Sequence, residues 1–396
     1  MNMRIGIFSD TYAPDVNGVV TSVMLLQKTL EDHGHEVFVI TNHPKLIDIH
    51  YQNHVLRLPG IKLKSLYGYV MTSPIQLRAY RMIRKMKLDL IHVHSDFGVG
   101  MFSRFISFRL NLPIVFTYHT EIENYTHYIN PLELRSVEKF SRFAVAKLSK
   151  QLGDHSTAVI APSKKTKDML LRYGVKKDIF IVPTGVDLER FSSASLDINR
   201  MTKIRLAYGI LPEECLFIYV GRIAKEKSID LVIDGFHHVD FESFKCKLLI
   251  VGDGPQLNEL RQQVLDLNLE KQVKFAGKKS ADDVPYYYNA AQAFICASRT
   301  ETQGLTYLEA MASGLPILAR PDKVLEGLVH EGTTGFYFET EEELARTVER
   351  FARRSKEEVD ELKKNIHETI RQLDREVFYH NIMEVYESAL KDFNPE

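Results

Sequence analysis

Two carboxylates and two cations hold most of the chemistry in this sequence. The stretch 301–314, ETQGLTYLEAMASG, sets Glu301 and Glu309 eight positions apart across Gly304, Leu305 and Thr306. That spacing admits a general acid and base, a clamp on a ligand, or two ordinary helix carboxylates. The strand-like run AFICAS ends just before Arg299, so the helix starts near Leu305, with Glu301 ahead of it and Glu309 about a turn inside. Gly304 removes side-chain bulk where a ligand could approach, and the N–H groups of Leu305 and Thr306 point out of the positive helix end. Placed so, both carboxylates can serve one pocket without touching. The bland alternative has Glu301 favouring the helix dipole and Glu309 solvated.

The cations come from GRIAKEKSIDLVI, which follows the strand CLFIYV and opens a helix near Ser228. Arg222 offers a two-pronged fork and Lys227 a point charge, a pair suited to a diphosphate beside a helix start, although surface lysines there are common. In SDTYAPDVNGVVTS, Gly18 beside Asn17 can admit a phosphate or sugar to the amides or can be a plain turn residue. His119 ends the run PIVFTYH and precedes Glu121, Glu123 and His127. A structural histidine, a metal set and a catalytic or substrate contact are all open for it. Other motifs fail: there is no Walker A sequence, GDGPQL has Leu257 where a dinucleotide fingerprint needs its third glycine, and no Asp-x-Asp occurs. Hydride transfer loses its main support, and a metal clamp on a diphosphate has no evident ligands.

These residues need a scaffold, and short β-branched runs alternating with helix-length amphipathic segments predict an α/β fold with parallel sheets. The series MRIGIF, EVFVIT, LDLIHVH, PIVFTYH, STAVIAPS and IFIVPTG restarts at CLFIYVG after the polar passage SSASLDINRMTK. Two Rossmann-like domains are expected, at 1–195 and 196–375, joined within 187–202. A final helix at 376–396, apolar at Phe378, Ile382, Val385 and Leu390, either completes the second domain or crosses back to the first. The 396 residues exceed what one core usually organises, and 44% apolar with 26% charged residues is ordinary soluble composition. Three scattered cysteines and no signal-like or spanning apolar run predict a cytoplasmic protein.

Net charge is −1, yet residues 1–190 carry 25 Lys and Arg against 17 Asp and Glu, leaving 26 against 35 for the rest. Residues 57–88 hold Lys62, Lys64, Arg78, Arg81, Arg84 and Lys85 among their cations and no acidic residue before Asp89. On a helix, Arg78, Arg81 and Lys85 share a face next to Leu77, Tyr80 and Ile83, and ELRSVEKFSRFAVAKLSK aligns Arg135, Lys139 and Arg142. Such faces fit anionic lipid, with a solvated helix face and a nucleic-acid surface as the competitors.

Taken in order, IGIFSDTYAPDVNGVVTSV, HVHSDFGVG, FTYHTEIENYTHY, IAPSKKTKDML, VPTGVDLERF, YVGRIAKEKSIDLVI, VGDGP, ETQGLTYLEAMASGLPILA and GLVHEGTTGFYF resemble the retaining GT-B glycosyltransferases with the E-x7-E motif. The resemblance covers nearly the whole chain. Within the family the N-terminal run and HTEIENYTHY look most like bacterial diacylglycerol glucosyltransferases, with Thr302 and Gln303 where many members have Gly-Phe. The resemblance implies two Rossmann-like domains facing across a cleft, the acceptor on the first and the donor on the second. It implies transfer of glucose from UDP-glucose to the 3-hydroxyl of 1,2-diacylglycerol with the α configuration retained, no cofactor and no strictly required metal. It further implies Glu309 on the ribose, Arg222, Lys227 and the Leu305 and Thr306 amides on the diphosphate, and Glu301, Gln303 and Gly304 at the sugar. Gly18 would approach the phosphate, and His119 the sugar near its reacting carbon. The implied partners are the donor, the lipid acceptor and an anionic membrane, not nucleic acid, at the inner face of the cell membrane. Another acceptor (phosphatidylinositol, a cell-wall polymer, a protein) and a non-catalytic lipid- or nucleotide-binding protein are the alternatives.

Overall fold

The computed structural model describes residues 2–15, 17–43, 48–63, 69–119 and 135–393, with the backbone alone at 62, 63, 69 and 135–142. Contacts divide the chain into two units, Met1–Gly185 with Arg375–Glu396, and Val186–Asp374. In the first unit β1 (Arg4–Phe8), β2 (Glu36–His43), β3 (His50–Gln52), β4 (Val55–Leu63), β5 (Tyr69–Thr72), β6 (Leu90–Val93), β7 (Ile114–Thr117), β8 (Ala158–Ala161) and β9 (Ile179–Ile181) form one sheet. Their order is β3-β4-β2-β1-β6-β7-β8-β9, with β5 on β4. Neighbours from β4 to β9 pair parallel, and β3 and β5 pair antiparallel with β4.

Parallel strands must be buried on both faces, and β6, β7 and β8 are buried at every residue. Helix Gly18–Asp32 covers one face with Val23, Leu26 and Leu30, and its start is fixed by Asn17, whose side chain accepts the Val20 N–H at 3.0 Å. Ile83 and Met86 of helix Leu77–Met86 and Phe102 and Ile106 of helix Gly98–Leu110 belong to the second apolar cluster. The C-terminal helix Arg375–Asp392 packs Phe378, Ile382, Val385 and Tyr386 into the same cluster as Ile5, Ile7 and Val115 of this first unit. Burying each such side chain contributes at most about 1.5–3 kcal/mol.

In the second unit β10 (Cys215–Val220), β11 (Cys246–Val251), β12 (Val273–Gly277), β13 (Ala293–Cys296), β14 (Ile317–Ala319) and β15 (Gly335–Tyr337) pair in the parallel order β12-β11-β10-β13-β14-β15. The unit begins at Val186, about ten residues before the boundary expected at 195/196. Apolar burial decides this over the polar passage: Val186 and Phe191 join the core of the second unit, and the Val186 N–H donates to the Leu373 carbonyl at 2.9 Å. Divided this way, the first unit holds 26 Lys and Arg against 20 Asp and Glu, and the second 25 against 32.

Candidate active site

In an open parallel sheet, ligands bind beyond the carboxyl ends of the strands where the strand order reverses, because the connections leaving those two strands go to opposite sides. In the second unit that point lies between β10 and β13. The segments that follow these two strands are GRIAKEK and ASRTETQGL, so Arg222, Lys227 and Glu301 lie beyond one pair of adjacent strand ends. Lys227 Nζ donates to Glu301 Oε1 at 2.5 Å, with both side chains 16% exposed. Arg222 pairs with Glu226, a nearly buried residue that the sequence alone did not single out. The cations are therefore not bare charges awaiting phosphate. Each is held by a carboxylate, which offsets the cost of gathering like charges in a half-buried place.

The loop carrying Arg222 is braced from the next strand. The Ile223 N–H donates to the Asp253 carbonyl at 3.0 Å and the Gln256 N–H to the Ile223 carbonyl at 3.2 Å. A Cβ on Gly252 or Gly254 would stand 1.8 or 2.1 Å from the carbonyl oxygens of Gly221 and Ile223. The two glycines of GDGPQL thus let one backbone lie on another, a structural use of the failed fingerprint. Gly304 has φ +76°, and a Cβ there would meet the Tyr307 ring at 2.4 Å, so the turn into helix Leu305–Ala312 demands glycine. Gln303 beside it is buried.

Glu309, on that helix, takes a different partner from Glu301. The Tyr288 hydroxyl donates to Glu309 Oε2 at 3.1 Å. Burial raises the Glu309 carboxyl to about 7, against the Tyr288 hydrogen bond and the Arg190 charge, which both favour ionisation. Glu301 is held by Lys227 and Glu309 by Tyr288, so the two carboxylates have different partners. Tyr288 is a further residue the sequence reading missed; the run PYYYN ahead of AFICAS was its only signal.

In the first unit the strand order reverses between β1 and β6. Asp10 follows β1, and its carboxylate accepts the Val99 N–H at 2.8 Å at the start of helix Gly98–Leu110. Gly98 makes room, since a Cβ there would stand 2.5 Å from Asp10 Oδ1. His94 follows β6 and His119 follows β7; His94 Nδ1 and His119 Nε2 are hydrogen-bonded at 2.7 Å. Burial lowers the His119 pKa to about 4 and holds His94 well below its ordinary value, so both rings are neutral at pH 7. Behind them His92 is held by the Tyr386 hydroxyl and by Thr117 Oγ1, both at 2.7 Å. His92 and His94 were missed as site residues, although alternate positions in HVH put both rings on one face of the strand. Gly18 begins its helix and is exposed.

Glu121, Glu123 and His127 lie outside the described residues. Among the described residues no group of three or more His, Cys, Asp or Glu side chains could hold a metal ion. Arg78, Arg81, Arg84 and Lys85 are exposed on helix Leu77–Met86, whose buried residues are Ala79, Ile83 and Met86. Leu77, expected with the apolar neighbours, instead stands 62% exposed on the first turn among the cations. Lys64 and the side chains of Lys62, Arg135, Lys139 and Arg142 lie outside the described residues. No helix among the described residues is long and apolar enough to cross a membrane.

Residues 200–372 match the glycosyl transferases group 1 model and residues 16–190 the glycosyltransferase family 4 model. The chain is 36% identical to the alpha-monoglucosyldiacylglycerol synthase of Acholeplasma laidlawii over 87% of each chain. It is 34% identical to the synthase of the same name from Streptococcus pneumoniae, over 87% of this chain and 77% of that one. The fold is similar to that of Anabaena HepE, solved in complex with UDP-glucose, with a TM-score of 0.75 and 18% identity over 98% of this chain and 100% of that one. Sucrose-phosphate synthase from Thermosynechococcus elongatus has a TM-score of 0.75 at 21% identity, over 98% and 99%. With two Rossmann-like units, relatives above 30% identity and both halves matched, the chain belongs to the group 1 glycosyltransferases and is a hexosyltransferase of the GT-B fold.

Proposed function

We propose that the chain transfers glucose from UDP-glucose to the 3-hydroxyl of 1,2-diacylglycerol, retaining the α configuration, at an anionic membrane surface on its cytoplasmic side. The observation that carries this reading is the kinship, over 87% of the chain, with two alpha-monoglucosyldiacylglycerol synthases. Breaking the anomeric C–O bond puts positive character on the sugar and added negative charge on the nucleoside diphosphate. Arg222, Lys227 and the amides of Leu305 and Thr306 stabilise that leaving group, and because Glu301 already restrains Lys227, less side-chain freedom is lost on binding. Glu309 receives the ribose hydroxyls; Glu301 and the Gln303–Gly304 backbone meet the sugar hydroxyls. Gly18 approaches the phosphate, and His119 contacts the sugar near its reacting carbon. The acceptor hydroxyl attacks from the face the diphosphate leaves, and a leaving phosphate oxygen takes its proton, so retention needs no enzyme nucleophile.

The membrane enters through the first unit, whose excess of cations includes the exposed Arg78, Arg81, Arg84 and Lys85 beside exposed Leu77. Lys62, Lys64, Arg135, Lys139 and Arg142 extend that surface in this reading. Each cation near anionic lipid contributes about 1 kcal/mol. The test is incubation of purified protein with labelled UDP-glucose and diacylglycerol in vesicles containing phosphatidylglycerol. The expected product is labelled glycolipid in the α configuration. Failure to form lipid product with UDP-glucose, UDP-galactose or GDP-mannose would overturn the proposal, and transfer to a different acceptor would reassign it.

A further inference from the structure

We infer that His94 is a positioning residue for His119: its Nδ1–H donates to His119 Nε2 and fixes His119 as the tautomer that carries its hydrogen on Nδ1. The inference rests on His119 contacting the sugar as proposed above. Its structural ground is independent of that role.

A neutral imidazole has one N–H and one lone pair, so two neutral rings joined nitrogen to nitrogen have two possible arrangements. If His94 donates, its other nitrogen, Nε2, keeps a lone pair. If His119 donates, His94 Nε2 must carry the hydrogen. Among the described residues, His94 Nε2 is buried and has no hydrogen-bond partner. A buried N–H without a partner is among the rarest features of folded proteins, whereas an unused acceptor is tolerated more often. The first arrangement is therefore the favoured one, with His94 Nδ1–H as donor and His119 Nε2 as acceptor across 2.7 Å.

His94 is itself held in place. Its backbone N–H donates to the Phe8 carbonyl at 2.8 Å, which ties it to the end of β1. Its ring centroid lies 4.2 Å from that of His92, and the His92 ring is fixed from two sides by Tyr386 and Thr117. A free imidazole in water favours the hydrogen on the other nitrogen, so the arrangement of His119 is imposed by its neighbour. The consequence for transfer is that His119 carries its hydrogen on Nδ1 while its Nε2 lone pair is taken up by His94, so His119 is a neutral ring and not a base. A neutral donor can hold a sugar oxygen without repelling the positive character that develops at the anomeric carbon.

The experiment is ¹⁵N-histidine labelling of the full chain and long-range ¹H–¹⁵N correlation at pH 7.5, with His119 assigned through loss of its signals in His119→Gln. The wild-type protein is expected to show His119 protonated at Nδ1; protonation at Nε2 overturns the inference without any variant having to fold. His94→Phe should release the tautomer and lower kcat on the order of tenfold to a hundredfold with KM for UDP-glucose unchanged. His94→Asn, whose side-chain amide places an N–H near the position of Nδ1, should stay within about threefold of wild type. Equal loss in both variants overturns the inference, as does an unchanged tautomer in His94→Phe. If no sugar nucleotide supports transfer, the proposed function fails while the tautomer measurement still decides the role of His94.

Discussion

The two units put the same kind of reversal in strand order to opposite electrostatic ends. At the β10/β13 reversal the second unit collects Arg222, Lys227, Glu226 and Glu301 as two ion pairs. At the β1/β6 reversal the first unit places neutral histidines near the buried carboxylate of Asp10. Charge suits one and not the other for a physical reason. A nucleoside diphosphate gains negative charge as it leaves, so preformed cations stabilise the transition state more than the ground state. If His119 contacts the sugar as proposed, an imidazolium there would oppose the positive character that develops on the sugar carbon, and burial that keeps His119 neutral removes that penalty.

The largest effect should come from the charged side of this contrast. Lys227→Met is expected to lower kcat by on the order of a hundredfold to a thousandfold. It also takes from Glu301 the opposite charge that Lys227 supplies at 2.5 Å, and removing one member of such a largely buried ion pair is destabilising. Lys227→Met with Glu301→Gln separates the two effects. Thermal stability should recover and turnover should not. Turnover returning with stability would mean that Lys227 serves only to neutralise Glu301, and the division between a charged and a neutral site would fail.

A smaller effect, about tenfold in donor affinity, is expected of Glu309→Gln, because hydrogen bonds to an ionised acceptor are worth more than those to a neutral one. Its sign with pH follows from burial, which raises the Glu309 carboxyl to about 7. Above that value the ionised carboxylate would accept both ribose hydroxyls in the proposed donor pose. Below it the group binds a proton and loses that advantage. Affinity for UDP-glucose, whose diphosphate keeps its charge over this range, should rise as pH passes upward through 7 in the wild type and stay flat in Glu309→Gln. Titration calorimetry at pH 6 and pH 8.5 checks this; parallel pH profiles would remove Glu309 from the donor site.

Much of this was legible in the sequence where the signal is local. The turn at Gly304, the helix start at Leu305 and the placing of Arg222 after a strand all follow from residues close together in the chain, and the structure has them so. What escaped depends on which strands become neighbours. Glu226 looks like one more charge in AKEK until β10 lies beside β13 and its backbone carbonyl receives Ser298 and Thr300 hydroxyls. Tyr288 becomes a partner of Glu309 only when helix Val284–Asn289 is brought to helix Leu305–Ala312. His92 and His94 read as strand residues until β7 and the C-terminal helix close around them. The boundary at Val186 escaped for the converse reason: polar composition marked a joint, while a few apolar side chains decided it.

The smallest effect on turnover, and the finest probe of the neutral site, lies at Tyr386. It reaches from the C-terminal helix to His92 Nδ1 at 2.7 Å, so Tyr386→Phe removes one buried hydrogen bond and keeps the ring. Stability of the first unit should fall by about 1–3 kcal/mol, because a buried imidazole nitrogen loses its partner. Hydrogen exchange should quicken in β6 and in helix Arg375–Asp392 while β10 and β13 keep their protection, since the helix packs in the first unit. Turnover should fall by only about twofold, because His92 retains Thr117 and its contact with His94, and a tautomer fixed by His94 itself does not depend on the next ring. A loss as large as that of His94→Phe would mean that the hydrogen on His119 is set by the whole chain from Tyr386 inward. The C-terminal helix would then be part of the catalytic apparatus, and the contrast between the two units would lie in how far each site extends and not only in its charge.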